Sequence, residues 1–139
     1  MKSSHLVDNK NGSFHDPKTG LTWDQKDSWQ REPQWLTWDE AVEHARSLCH
    51  IKFCGFNDWR MPTDQEALTL YDPEFENKDK YDKLIHLDPV FPPGSLPTIW
   101  LKDDIPGNDG IILDYRNGEV RSLYRSKSGR MATRPVRGD

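Results

Sequence analysis

The chain has 139 residues, a net charge of −4, an apolar fraction of 34% and a mean hydropathy of −0.92. That length suits one domain burying about two-thirds of its unfolded surface, and no run approaches the ~20 apolar residues of a membrane span. Six Trp, five Phe and four Tyr offset the lean apolar fraction, because aromatics bury a large area per residue. A loop-rich globule is expected, not a disordered chain.

The opening Met1-Lys2-Ser3-Ser4-His5 lacks the apolar core of a secretory signal. The chain is therefore cytoplasmic, or a leader has been removed. Residues 6–23 read as short strands joined by turns at Asn11-Gly12 and at Asp16-Pro17-Lys18-Thr19-Gly20. Asn11-Gly12 is expected to form a turn with both central residues at positive φ. Trp29 to Leu36 is an aromatic-rich stretch that is either exposed for docking or folded back as a lid.

Thr37-Trp38-Asp39-Glu40 is a capping box that opens a first helix. Trp38, Ala41, Val42, Ala45, Leu48 and Cys49 then recur at helical spacing on one stripe. Thr63-Asp64-Gln65-Glu66 is a second box, opening a short helix through Ala67, Leu68 and Tyr71 that Asp72-Pro73 stops. Residues 73–97 are charged and broken by prolines, which predicts a long irregular insertion reaching to about Gly110 and carrying recognition. Strands follow at Thr98–Leu101, Ile111–Tyr115 and Glu119–Tyr124, the last two flanking an Arg116-Asn117-Gly118 turn. Met131–Val136 closes the chain as an edge strand, because Pro135 has no N–H for a ladder. The order gives an α+β fold in one domain spanning residues 1–139. Its expected core is Trp23, Trp38, Val42, Ala45, Leu48, Trp59, Leu68 and Trp100.

Four passages resemble the Lcl C-terminal domain family of bacterial modules. They are Asp8-Asn9-Lys10-Asn11-Gly12-Ser13-Phe14 with Thr19-Gly20-Leu21-Thr22-Trp23, then Thr37-Trp38-Asp39-Glu40-Ala41, Asn57-Asp58-Trp59-Arg60-Met61-Pro62-Thr63, and Arg134-Pro135-Val136-Arg137-Gly138. The resemblance implies a C-type-lectin-like fold: two short helices on twisted antiparallel sheet, chain ends adjacent, and a long irregular insertion. It also implies an extracellular, periplasmic or cell-envelope module, since the family's namesake is an adhesin that binds sulfated glycans. This sequence departs from the family in two places. Pro135 stands where a Cys is frequent, and Ile99-Trp100-Leu101-Lys102 replaces a run rich in small hydroxyl residues.

The candidate sites follow from residue chemistry. Residues 116–139 carry Arg116, Arg121, Arg125, Lys127, Arg130, Arg134 and Arg137 against only Glu119 and Asp139, whereas the rest of the chain is acidic. Such a tail either pairs with the body's own acids or binds sulfate, phosphate or carboxylate groups. Arg116, Arg121, Arg125 and Arg130 are the candidate ligand-binding residues, as forked donors. Trp100 stands among them as well as in the expected core. Trp38, Trp59, Arg60 and Pro62 read as a structural motif, with Trp59 in the core and Arg60 paired to a carboxylate or carbonyl.

Asp103, Asp104, Asn108 and Asp109 bracket a Pro-Gly turn, a solvated acidic loop that only weakly suits calcium; no metal or other cofactor is expected. Cys49 and Cys54 are either reduced or joined in a small local disulfide. No phosphate loop, nucleophile elbow or His-Glu-x-x-His string occurs, so no enzyme is expected. The expected function is binding of a glycan or acidic surface ligand. The alternative is an interaction subunit docking on another protein, with an oligomer allowed. Duplex nucleic acid is not an expected partner, for want of positive total charge and of a reading motif.

Overall fold

A computed structural model describes residues 2–138. Met1 of the opening passage, and Asp139 among the acids of the basic tail, lie outside the described residues. Ten strands and three α-helices follow the chain. They are β1 (Val7–Asp8), β2 (Ser13–His15), β3 (Thr22–Asp24), α1 (Ser28–Arg31), α2 (Trp38–His50), α3 (Asp64–Leu68), β4 (Asn77–Lys78), β5 (Leu84–Ile85), β6 (Thr98–Trp100), β7 (Asp109–Asp114), β8 (Glu119–Tyr124), β9 (Met131–Ala132) and β10 (Val136–Arg137). The result is a mixed α+β architecture with few helices and antiparallel pairing dominant.

Two four-stranded sheets carry the fold, ordered β1-β2-β3-β10 and β8-β7-β6-β9, and β4-β5 form a small ribbon. Among the described strands β6 and β9 alone pair in parallel, and a single parallel bridge joins Asp79 to Ser95. Pro135 sits between β9 and β10, at the point where the chain leaves one sheet for the other. Its carbonyl still accepts from Asp24 N–H at 3.1 Å; β10 is last in its sheet, and Val136 is bridged on its far side to Arg60.

Side-chain alternation gives the second sheet two buried faces. Ile99, Leu101, Leu113 and Tyr115 join Phe14, Trp23, Val136, Ala67 and Leu70 in the larger core. The residues between them, Trp100 and Ile112, face the other way, against Leu36, Ala41, Met61 and Met131. This period of two is what a strand buried on both sides requires. Trp100 has no exposed surface and donates from Nε1 to the Leu36 carbonyl at 2.8 Å.

Both expected capping boxes are present. Thr37 accepts from Glu40 N–H while Glu40 accepts from Thr37 N–H at 2.8 Å. Thr63 and Glu66 make the same exchange at the head of α3. A third box, Asp27 with Gln30, opens the single turn of α1. The expected stripe on α2 holds, with Ala41, Ala45 and Leu48 buried and Trp38 and Val42 half-buried.

Five expectations need correction. Leu68 is 36% exposed: α3 has five residues, and Ala67 with Leu70 takes the inward positions. Asn11 does not have positive φ; Lys10 and Gly12 do, so the β1–β2 loop is longer than a two-residue turn. The stretch 73–97 is not irregular throughout. Phe75, Ile85, Leu87, Phe91 and Leu96 are all buried, and β4-β5 with a bridge from Asp79 to Ser95 ties it down. Met131–Val136 is not one strand, because β9 and β10 lie in different sheets. Lastly, of the two readings of Trp29–Leu36, neither holds throughout: Leu36 is buried with its N–H on the Met131 carbonyl at 2.9 Å, whereas Arg31 to Trp35 are exposed. Trp35 alone among its aromatics stays 44% exposed.

Candidate ligand-binding hollow

The β7–β8 hairpin turns at residues 115–118, where Gly118 takes φ +74, a conformation that favours glycine. Asp114, the last residue of β7, is buried at the neck of the turn. It accepts from Arg116 Nε at 3.0 Å and Nη2 at 2.7 Å, and from Arg121 Nη1 at 3.3 Å. Burial alone would raise this carboxyl, but the Arg116 guanidinium and backbone N–H, with Arg121, hold it below the ordinary carboxylate range. Asp114 is thus an anchor that fixes two arginines side by side.

These arginines line one wall of a hollow of about 550 Å³ between β8, the 79–83 turn and the 128–131 turn. Lys83, Tyr81 and Arg130 line the opposite side, over a floor that includes Ile112 and Leu123. Arg130 lies 5.2 Å from the Tyr81 ring centroid, within cation–π range. Among the described residues, neither Arg130 nor Lys83 has a carboxylate within ion-pair distance. Asp79 also borders the hollow, but its Oδ1 is occupied by the N–H groups of Tyr81 at 2.8 Å and Lys83 at 3.0 Å. The geometry collects cationic donors around an aromatic and an aliphatic patch, an arrangement able to hold an anionic ligand with an apolar face.

Of the candidate ligand residues, Arg116, Arg121 and Arg130 meet here. Two do not. Arg125 lies at the far end of β8, its guanidinium 3.9 Å from the Trp38 ring centroid, 3.0 Å from the Ile105 carbonyl and 3.4 Å from Asp103. It braces α2 and the 103–108 loop. Trp100, as described, is sealed in the core and offers a surface ligand nothing. Sequence reasoning missed Lys83 and Tyr81, which adjoin the arginines only through the fold. It also missed Asp114, although an Asp at the first position of a turn is a recurrent local signal.

The other candidates are structural in their surroundings. Trp59 is buried and donates from Nε1 to the Phe53 carbonyl at 2.9 Å. Arg60 forks onto Glu66 with both contacts at 2.7 Å and reaches the Gly138 carbonyl at 3.2 Å. Pro62 is buried and its carbonyl accepts from Lys102 N–H. Cys49 and Cys54 are free thiols aimed at different carbonyls, those of Trp59 and Asn11. Burial pushes the Cys54 thiol up. Asp103 caps Ile105 N–H at 2.9 Å, while Asp104 and Asp109 are exposed on the loop. Among the described residues no group of three or more His, Cys, Asp or Glu converges as a metal site. Nor is any helix long and apolar enough to cross a membrane.

A family model of the Lcl C-terminal domain matches residues 12–137, nearly the whole chain. The chain belongs to the Lcl C-terminal domain family. No curated protein matches it. In this Lcl C-terminal domain the matched span runs from the first hairpin to β10, so it includes the hollow and every arginine that lines it.

Proposed function

We propose that this Lcl C-terminal domain is a non-catalytic binding module at the cell envelope, of C-type-lectin-like fold, that takes an acidic glycan or similar surface ligand in the hollow. The C-type-lectin-like reading draws support from the first three strands and the last sharing one sheet, and from the capped helices ahead of the second sheet. The observation that carries the ligand class is the pair Arg130 and Lys83: cations on the rim of a concavity, without acid partners, beside the exposed Tyr81 ring. Arginines that served only to balance the acidic body would face carboxylates, as Arg116 does. A fork such as Arg130 suits sulfate or carboxylate geometry, and an aromatic face suits a sugar ring.

The test is retention on a heparin column at low salt, where such contacts are least screened. Arg121→Glu with Arg130→Glu is expected to abolish retention and to lower the melting temperature by only a few degrees, because Arg116 keeps its shorter contacts to the buried Asp114 while Arg121 contributes one at 3.3 Å. A parent chain that flows straight through refutes the acidic-ligand reading. A second reading, docking on another protein chain, draws on exposed Trp35 and Ile105. Capture by a protein partner that survives Arg121→Glu with Arg130→Glu would favour it.

A further inference from the structure

Strand β8 ends its sheet, and five of its six residues are exposed. Arg125, just beyond it, donates its N–H inward to the Asn108 carbonyl at 2.8 Å. In an antiparallel ladder the backbone groups alternate direction from one residue to the next. Val120, Ser122 and Tyr124 therefore turn their N–H and C=O groups outward, where no strand pairs with them among the described residues, although the Tyr124 carbonyl already accepts from Lys127 N–H at 3.0 Å and has only its second lone pair to offer. Their side chains share one face, on which Val120 is 37% and Tyr124 60% exposed. Monomeric proteins blunt such edges with Pro, a bulge or charged side chains, Lys above all, and of these β8 carries only the charges of Glu119 and Arg121. The β8 strand has neither Pro nor Lys, and its register with β7 runs residue for residue without a bulge.

The strand's own sequence selects the partner and the register. If a second copy of β8 pairs antiparallel with it, outward-turned residues must face outward-turned residues, so even positions face even ones. Centring on Arg121 sets that residue against itself, and centring on Leu123 sets Arg121 against Arg125. Like charges directly opposite are destabilising. Centring on Val120 or Tyr124 runs off the end of the strand. Centring on Ser122 keeps like charges apart, since Glu119 then faces Arg125 of the second copy, whose guanidinium stays on Asp103 and Trp38, and it sets Val120 against Tyr124, a β-branched–aromatic pair of the stabilising kind.

We propose that β8 pairs antiparallel with β8 of a second copy of this chain, with the two-fold axis at Ser122, fusing two sheets into one. Because facing residues share a side, the two arginine-lined hollows then open on the same face of the fused sheet.

Sedimentation equilibrium on the full chain and cysteine trapping test this. Facing residues of a hydrogen-bonded antiparallel pair lie about 5.5 Å apart at Cα, inside the ~4.4–6.8 Å that a disulfide spans. In a background with Cys49→Ser and Cys54→Ser, Ser122→Cys is expected to cross-link into dimers on mild oxidation, whereas Arg121→Cys and Leu123→Cys are not. Wild type is expected to sediment as a dimer in the micromolar range, and Glu119→Arg to weaken dimerisation at least tenfold by opposing Arg125 with a like charge. Ser122→Pro, which removes an outward N–H, should be monomeric with an unchanged far-UV spectrum. If it does not fold, Val120→Lys serves the same end. A wild-type chain that stays monomeric at high micromolar concentration overturns the proposal, as does cross-linking at position 121 equal to that at 122.

Discussion

At the scale of single residues, the centre of the molecule is ionic. Arg134 is fully buried, stacked 4.2 Å from the Phe91 ring centroid and donating to the carbonyls of Asp24 at 3.1 Å and Gln25 at 2.8 Å. Burial pulls its pKa down, and Asp27 is the chief group holding it up. Asp27 is likewise buried and spends its two oxygens on Gln30 N–H and Leu96 N–H, at 2.9 and 2.7 Å. Removing the guanidinium leaves the buried Asp24 and Gln25 carbonyls without that donor, at about 1–3 kcal/mol each, so Arg134→Met is expected to lose a few kcal/mol in urea unfolding. An unchanged midpoint would show that the charge is dispensable. Nothing in the sequence marked Arg134 as a core residue. Among seven Lys or Arg in the tail it reads as one more surface charge, and only the crossing of the chain between sheets puts it inside.

Asp27 also sets a pH dependence. Burial raises its carboxyl to about 6 from an ordinary 3.8, against the lowering pull of Arg134. The folded state then holds a proton that the unfolded state has released. The stability this contributes is fully present below the ordinary Asp value and is lost as pH rises through about 6, in all on the order of 2–3 kcal/mol. Asp114 works in the opposite sense. Its folded pKa is depressed, so its contribution is present above the ordinary value and lost as pH falls through the folded one. Asp27→Asn is expected to be destabilised most near pH 4, by about 1–3 kcal/mol, since one amide oxygen cannot serve both N–H groups. The gap to wild type should narrow by pH 7. A gap independent of pH would contradict the assignment.

At the scale of elements, the legible parts were those with a local signature. The Thr37–Glu40 and Thr63–Glu66 boxes gave both longer helices, and alternation gave β7 and β8 with a hairpin between them. What escaped depended on distant partners. The Asp27–Gln30 box heads a single turn too short to show periodicity, and the core residues of 73–97 are spaced by prolines and charges in no regular pattern. The candidate site was half legible for the same reason. Arg116 and Arg121 share a hairpin, whereas Lys83 and Tyr81 arrive from a separate turn. The hairpin offers a direct check. A Cβ at Gly118 would lie 2.6 Å from the Tyr71 ring at φ +74, whereas one at Gly20, at φ +79, meets nothing within 4 Å. Backbone strain is common to both, at about 1–2 kcal/mol. Gly118→Ala is therefore expected to lower the melting temperature clearly more than Gly20→Ala, and equal losses would mean that Tyr71 gives way freely.

At the scale of the whole molecule, the last residues stitch the two sheets together. Met131–Ala132 lie parallel to β6, Val136–Arg137 lie antiparallel to β3, and Arg60 N–H pairs with the Val136 carbonyl at 2.9 Å. That arrangement governs how the chain acquires its structure over time. The sheet that β1 to β3 begin cannot be completed until β10 has emerged, so a growing chain leaving the ribosome holds an open edge at β3 until then. Closing a loop that spans most of the sequence is slow, and refolding is expected on the millisecond-to-second scale typical of non-local β topologies. Truncation after Arg130 should therefore abolish cooperative unfolding altogether and leave β3 exposed to aggregation. A truncated chain that melts sharply and stays monomeric would mean that the first sheet is self-sufficient.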